Sequence, residues 1–469
     1  MKLYLLTLIL LASISSNLFA QQTSNVTGTW NGSLNIGGAK LRLVFHISTT
    51  PEGNLTATMD SPDQGAKGIP VTSVRLAQDS LFLDIKAIGG SYTGKVTSPE
   101  TIDGHLQQGG QRMHIPLIKG EAEVAKRPQM PVKPYPYQET EVTIENKTAG
   151  IKLVGTLTLP HNKANVPAVI LVTGSGPQDR DQTIMGHKPF LVLADYLTRQ
   201  GIAVLRLDDR GVGKSGGNFA TATTEDFATD AEAAYTYLKS FKGVNAKKIG
   251  LVGHSEGALV AAKVAAKHPD VAFVVLMAGN AVPGTELLVA QNEALLKMAG
   301  VPNEQLKKYL QLRKAQFEIA ATEADVFQAA ESIKKLEQDT KANLTEQEQK
   351  QLGLTPQSEQ AVIAQISTPW YRHFLAYNPA PTLQKLKMPV LALNGTKDVQ
   401  VPYQQNLPAT EKALKAAGNK KYTIKEMPGL NHLFQTANTG GPAEYGQLEE
   451  TLAPAALETM GNWIKDVVK

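Results

Sequence analysis

The sequence contains no cysteine. That excludes disulfides, a lipid-bearing cysteine, a thiol nucleophile and cysteine-based zinc sites. Past its first twenty residues it has no apolar run of the length a bilayer-spanning helix needs. It has no lysine- and arginine-rich block, and a net charge of +4 over 469 residues gives little support to nucleic-acid binding. Aromatic residues are scarce, at 6%. Hydrophobic residues make up 42% and charged residues 19%, enough for a large globular core, and the length is natural for two domains.

The chain opens with "MKLYLLTLILLASISSNLFA". Lys2 gives a short basic start, and Leu3 to Ala12 is apolar over the length of a signal-peptide core. Residues 1–20 are therefore expected to be a signal peptide cleaved after Ala20, although Leu18 is larger than the small residue preferred there. The protein is expected to be exported, periplasmic or secreted. Its freedom from disulfides fits a bacterial source better than an animal one.

Residues 23–125 are expected to be all-β. Leu41, Leu43, Phe45 and Ile47 alternate with their neighbours, as do Leu81, Leu83 and Ile85, and Met113, Ile115 and Leu117. Turn residues separate these runs, which predicts a small antiparallel sandwich or barrel. A linker over 126–137 follows, where "RPQMPVKPYPY" is too rich in proline for helix or central strand.

From residue 138 to 469 the pattern changes. "TEVTIEN" and "IKLVGTLTLP" read as a leading hairpin. Near-continuous apolar runs then alternate with helical stretches: "PAVILVTG", "IAVLRLDD", "KIGLVGHS", "VAFVVLMAG", "PVLALNGTKD" and "YTIKEMPG". This predicts a mostly parallel sheet with helices on both faces, an α/β fold. One interval, about 281–385, breaks the rhythm. Leu306, Tyr309, Leu310 and Phe317, and again Val326, Ala330, Ile333 and Leu336, fall at helical spacing, which predicts a helical cap.

Two pentapeptides match Gly-x-Ser-x-Gly: "GHSEG", centred on Ser255, and "GKSGG", centred on Ser215. The motif carries chemistry where a strand enters it and a helix leaves it. Ser255 has both; Ser215 is followed by the loop sequence "GNFATATTED". "GVGKS" is not a phosphate-binding loop either, because the place of the first glycine is taken by Asp208.

A serine nucleophile needs a base, and the base needs an orienting acid. In a sheet of this kind they should follow in the order serine, acid, histidine. His432 is the one histidine far enough downstream, and Asp398 is the one aspartate between Thr382 and His432. Each follows a predicted strand. The expected catalytic set is Ser255, Asp398 and His432. Oxyanion donors are expected from the backbone N–H of Glu256 and of Ser175, with Gly176 the alternative to Ser175, in the loop "GSGPQDRD". Asp179, Arg180, Asp181, Asp208, Asp209 and Arg210 are expected to brace loops around the site.

"GHSEG", "LDDRGVGKSGG", "GTKDVQVP" and "GLNHLF" together resemble the α/β-hydrolase superfamily. "VTGSGPQDRD" and "STPWYRHFLAYNP" narrow the resemblance to bacterial exported carboxylesterases and serine aminopeptidase-like hydrolases. It covers about 138–469. It implies an α/β-hydrolase fold and cleavage of small acyl esters through an acyl-enzyme. No metal or cofactor is implied. One departure is Ala258 after "GHSEG", where many relatives are expected to have glycine.

Trp370, Tyr371, Phe374 and Tyr377 could line an acyl pocket or pack the cap onto the core. Two rival functions have features of their own. A peptidase acting on short peptides would need an acidic group for the substrate amine, and Glu318, Glu323, Asp325 and Glu331 are in the cap. A glycan- or cell-wall-binding protein would use the β domain, with Trp30 as an aromatic platform.

Overall fold

The computed structural model describes residues 26–36, 39–62, 66–121, 126–161, 164–342, 344–352 and 354–469. The expected signal peptide lies outside them. The chain forms two compact units that divide between Lys126 and Arg127.

The described residues of the first unit form ten strands, β1 (Gly28–Ile36) to β10 (Leu117–Lys119), all in antiparallel pairs. The strand order is β4 (Ala66–Pro70), β3 (Leu55–Ser61), β2 (Ala39–Thr49), β1, β10, β8 (Thr101–Gln108), β7 (Gly90–Ser98), β6 (Ser80–Ile85) and β5 (Ser73–Ala77), with β9 (Gln111–His114) beside β8. The two ends of that order, β4 (Ala66–Pro70) and β5 (Ser73–Ala77), are neighbours in sequence, joined through Val71 and Thr72. The sheet therefore curls round far enough to bring its two edges close together. Its alternating inward residues, Leu43, Phe45, Ile47, Leu81, Leu83 and Ile85 among them, share one core. Trp30 is fully buried there and donates its indole N–H to the Val26 carbonyl at 2.7 Å, so it is not a surface platform.

The second unit is an α/β-hydrolase fold. Its eight strands run in the order β11-β12-β14-β13-β15-β16-β17-β18. The hairpin of β11 (Tyr137–Asn146) and β12 (Ile151–Pro160) enters antiparallel. The six strands that follow are mutually parallel: β13 (Val166–Val172), β14 (Ala203–Leu207), β15 (Val244–His254), β16 (Phe273–Met277), β17 (Val390–Gly395) and β18 (Tyr422–Met427). Both faces are apolar because both are covered. One face packs on α2 (Thr224–Ser240), α3 (Glu256–Lys267) and α11 (Tyr403–Ala416). The other packs on α1 (Pro189–Arg199) and α12 (Pro454–Val467).

Between β16 and β17 the described residues make seven helices: α4 (Gly284–Met298), α5 (Asn303–Thr322), α6 (Val326–Lys341), α7 (Glu346–Gln351), α8 (Pro356–Ile366), α9 (Pro369–Ala376) and α10 (Ala380–Leu383). Phe317, Ile333, Ile366, Tyr371 and Leu375 give this cap a core of its own. Among the described residues no helix is long and apolar enough to cross a membrane.

Candidate active site

The loops after successive parallel strands meet at the C-terminal edge of the sheet, the usual place for a site in an open α/β fold. Ser255 stands directly between β15 and α3, with φ 55° and ψ −122°. A non-glycine residue is strained in that region. Two glycines make the turn sterically possible. A Cβ on Gly253 would lie 2.0 Å from the Gly257 carbonyl oxygen, and one on Gly257 would lie 2.2 Å from the Val172 carbonyl oxygen. The Ser255 hydroxyl does not cap α3, although the residue holds the N-cap position. Ala258, the departure noted above, fits because Gly279 opposite it has no side chain: a Cβ there would lie 2.7 Å from the Ala258 methyl.

Ser215 has a different task. Its hydroxyl is buried, donates to the Asp208 carbonyl at 2.8 Å and accepts the Val154 N–H at 2.9 Å. It ties the loop after β14 to the hairpin strand β12.

The structure brings Asp398 and His432 together. The carboxylate can only accept, so His432 donates Nδ1–H to Asp398 Oδ2, at 2.8 Å. The other carboxylate oxygen accepts the backbone N–H groups of Gln400 at 2.8 Å and Val401 at 2.9 Å. Both side chains are almost wholly withdrawn from solvent. The outer nitrogen of His432, Nε2, is thereby left as the acceptor.

His254 joins the histidine loop to the serine turn. It is adjacent to Ser255 and fully enclosed, and its ring lies 4.7 Å from that of His432. Its Nε2–H donates to the His432 carbonyl at 2.8 Å, and its Nδ1 accepts the Gln182 amide at 2.7 Å. Burial, with the His432 ring alongside, pushes its pKa down to about 3. His254 is thus a neutral strut between the two loops. Sequence reasoning passed over it, and over Gln182, because neither has a spacing signal.

Ser175 and Gly176 lie in the loop after β13, and Gly176 has φ 94°. This loop approaches the serine turn closely: a Cβ on Gly174 would lie 3.2 Å from that of Ser255. The N–H of Glu256 is the first of α3, so the helix's own ladder does not use it. The Glu256 carboxylate is buried and accepts from Thr224 Oγ1 at 2.6 Å and from Trp370 Nε1 at 2.8 Å. Burial raises its pKa.

The acidic and basic residues around the site mostly pair. Arg180 grips Asp208 through Nε at 3.0 Å and Nη2 at 2.6 Å. Asp181 accepts from Arg206 and Lys188. Arg210 holds Asp230 at 2.7 Å and Asp226 at 3.0 Å. Asp179 accepts from the Thr183 hydroxyl at 2.6 Å. Asp209 has no basic partner in these contacts. It accepts from the Thr173 hydroxyl at 2.7 Å and the Gln178 N–H at 2.9 Å, and burial pushes its pKa up to about 7.

Of the four cap aromatics, Trp370 is the one bonded to the serine turn. Tyr371 is buried in the cap core against Phe317. Phe374 is buried among Leu259, Leu287 and Val401, with Trp370 stacked on it at 5.3 Å. Tyr377 bonds the Thr382 hydroxyl at 2.5 Å and lies under Lys263 at 4.0 Å. The cap acids are engaged locally: Glu331 with Lys334 at 2.7 Å, Glu318 with Lys314 at 3.9 Å, Asp325 on the Gln328 N–H at 2.9 Å and Glu323 on the Asp325 N–H at 3.2 Å.

A family model described as serine aminopeptidase, S33, matches residues 188–436, just over half of the chain. Esterase EstD of Thermotoga maritima is 26% identical over 316 residues, which cover 67% of this chain and 64% of that protein. The match thus spans somewhat less than two thirds of that relative's length. Two solved structures are similar to the chain. Est1E from Butyrivibrio proteoclasticus, with ferulic acid bound, is 19% identical, covers 69% of this chain and 96% of its own, and has a TM-score of 0.39. A Pyrococcus furiosus esterase is 15% identical, covers 74% and 98%, and has a TM-score of 0.43.

Proposed function

The chain belongs to the serine aminopeptidase S33 family of α/β-hydrolases, and we propose that it is a carboxylesterase that cleaves small acyl esters through Ser255, His432 and Asp398. The observation that carries this reading is the backbone of Ser255. A strained φ of 55° at the junction of strand and helix holds its hydroxyl off the helix it precedes, and its neighbour His254 bonds the loop that carries the paired His432. The likeness to a protein named an esterase supports it.

The mechanism is two-step acyl transfer. His432 Nε2 takes the Ser255 proton as the oxygen attacks the ester carbonyl. The N–H groups of Glu256 and Ser175 receive the developing oxyanion. His432 then protonates the leaving alcohol. In the second step it takes a proton from water, and hydroxide attack releases the acid and restores Ser255. Asp398 fixes the tautomer that leaves Nε2 free and stabilises the imidazolium.

The family's description also suggests a peptidase. A substrate amine would need an acidic group near the serine. Glu256 is a buried carboxylate next to Ser255 in sequence, and Thr224 and Trp370 already occupy it. This favours ester over aminoacyl substrates. The test is a comparison of p-nitrophenyl acyl esters with aminoacyl p-nitroanilides. Turnover of the esters with negligible anilide cleavage is expected; preferential anilide cleavage would replace the esterase reading with the peptidase one. Export remains part of the proposal, and finding a mature N-terminus at Gln21 in the periplasm or medium would support it.

A further inference from the structure

Glu256 has two ends that face different parts of the molecule. Its backbone N–H opens α3 next to the nucleophile. Its side chain gathers two segments far apart in sequence. Thr224 Oγ1, at the start of α2, donates to Oε1 at 2.6 Å. Trp370 Nε1, in cap helix α9, donates to Oε1 at 2.8 Å and Oε2 at 3.0 Å. The loop after β13 lies against the same turn: Thr173 and Gly174 line one cavity with Glu256, and a Cβ on Gly174 would lie 3.2 Å from that of Ser255. Glu256 is 3% exposed, so the Thr224 and Trp370 bonds replace its hydration.

A cavity of about 50 Å³ lies at that loop, lined by Thr173, Gly174, Asp209, Phe227, Glu256 and Val260 among others. Close-packed walls would fix the loop by contact all round. On the cavity side the Asp209 carboxylate holds it, through Thr173 and Gln178, and Glu256 forms part of the same wall.

We infer that the Glu256 side chain is a positioning residue that couples docking of the helical cap, through Trp370, to the placement of the oxyanion donors. This rests on the esterase reading for its consequence in catalysis, though not for the linkage itself. With Trp370 seated, one residue supplies the first donor of the hole and a fixed wall of the cavity under the loop that supplies the second. Without it, that carboxylate loses one of its donors and the wall beside the Ser175 loop is no longer held. A displacement on the order of 1 Å in such a constellation can lower turnover about 100-fold.

The test uses the full-length protein with Trp370→Phe, which keeps the ring stacked on Phe374 but removes the N–H donor, and Glu256→Gln, which places an amide N–H₂ among donors. Active sites are titrated so that misfolded protein does not enter the rate. Trp370→Phe should lower kcat per titrated site roughly 3- to 10-fold, and Glu256→Gln about 10-fold or more, with KM changed much less, as for interactions made in the transition state. The double variant should be no slower than Glu256→Gln, because both act through one group. Amide hydrogen exchange gives a readout independent of turnover: Trp370→Phe should quicken exchange in 173–178 as well as in 368–377. Faster exchange in 368–377 alone, or single effects on kcat that multiply in the double variant, would overturn the coupling. If the wild type cleaved neither esters nor anilides, the esterase reading would fail, while the exchange data would still decide the linkage.

Discussion

Asp398 and His432 are 34 residues apart in sequence and 2.8 Å apart in the structure, Oδ2 to Nδ1. The contact is made because β17 and β18 are parallel neighbours, so the loops beyond their C-terminal ends emerge side by side. Two backbone N–H groups, from Gln400 and Val401, hold the second carboxylate oxygen and fix the direction of the first. Asp398→Asn should therefore keep the fold and lower kcat on the order of 10⁴-fold, since the amide favours the wrong tautomer of His432. Steady-state kinetics alongside thermal unfolding checks this; a loss under tenfold with an unchanged melting temperature would remove Asp398 from the mechanism.

The two serines make opposite predictions. Ser255→Ala should lower kcat by on the order of 10⁴-fold or more at little cost in stability. Ser215→Ala should retain its kcat and lose about 1–3 kcal/mol of stability, because the Val154 N–H and the Asp208 carbonyl each lose a buried partner. Urea unfolding and ester turnover on both variants separate the two roles.

The glycines of the serine turn predict steric failure. In Gly257→Ala the methyl would stand 2.2 Å from the Val172 carbonyl oxygen and 2.4 Å from that of Thr173. Both neighbours are backbone, so relief requires the turn itself to shift. A loss of about 3 kcal/mol or more is expected, with activity lost alongside. Chemical denaturation measures it; a change below about 1 kcal/mol would mean the turn is not as tight as described.

His187 predicts acid sensitivity. It is buried, bonds Thr451 at 2.8 Å and the Tyr445 carbonyl at 2.9 Å, and burial pushes its pKa down to about 4. The sign follows from which state binds the proton. Between about pH 6.5 and 4 the unfolded imidazole protonates and the folded one does not, so stability falls as pH falls. The slope is about 1.4 kcal/mol per pH unit for one such group. His254, with its pKa near 3, acts in the same direction, and Asp209, raised to about 7, acts in the opposite one. The contribution of His187 is thus read by difference. His187→Gln should show a shallower loss of stability between pH 6.5 and 4 than the wild type, and an equal slope would show that the folded imidazole titrates normally.

Much of this site was legible in the sequence. "GHSEG" was separated from "GKSGG" by what surrounds each: β15 and α3 flank Ser255, and a loop follows Ser215. Residue type and chain order singled out Asp398 and His432. The parallel strands were readable because both of their faces are covered and their apolar runs are nearly unbroken. The strand order of the β unit was not legible, because period two is common to sandwiches and barrels and says nothing of which strands pair. The bonds of His254 to Gln182 and His432, and of Glu256 to Trp370, were also invisible. They join residues 72, 178 and 114 positions apart, and they depend on side-chain direction at the sheet edge, which no local pattern encodes.

The central claim is that Ser255 becomes acylated with His432 as its base. The most direct measurement is mass-spectrometric mapping of the adduct left by a fluorophosphonate on the full-length protein. A single adduct on the peptide containing Ser255, slowed by orders of magnitude in His432→Ala, is the predicted result. Labelling at Ser215, or labelling of Ser255 that is unaffected by loss of His432, would contradict it.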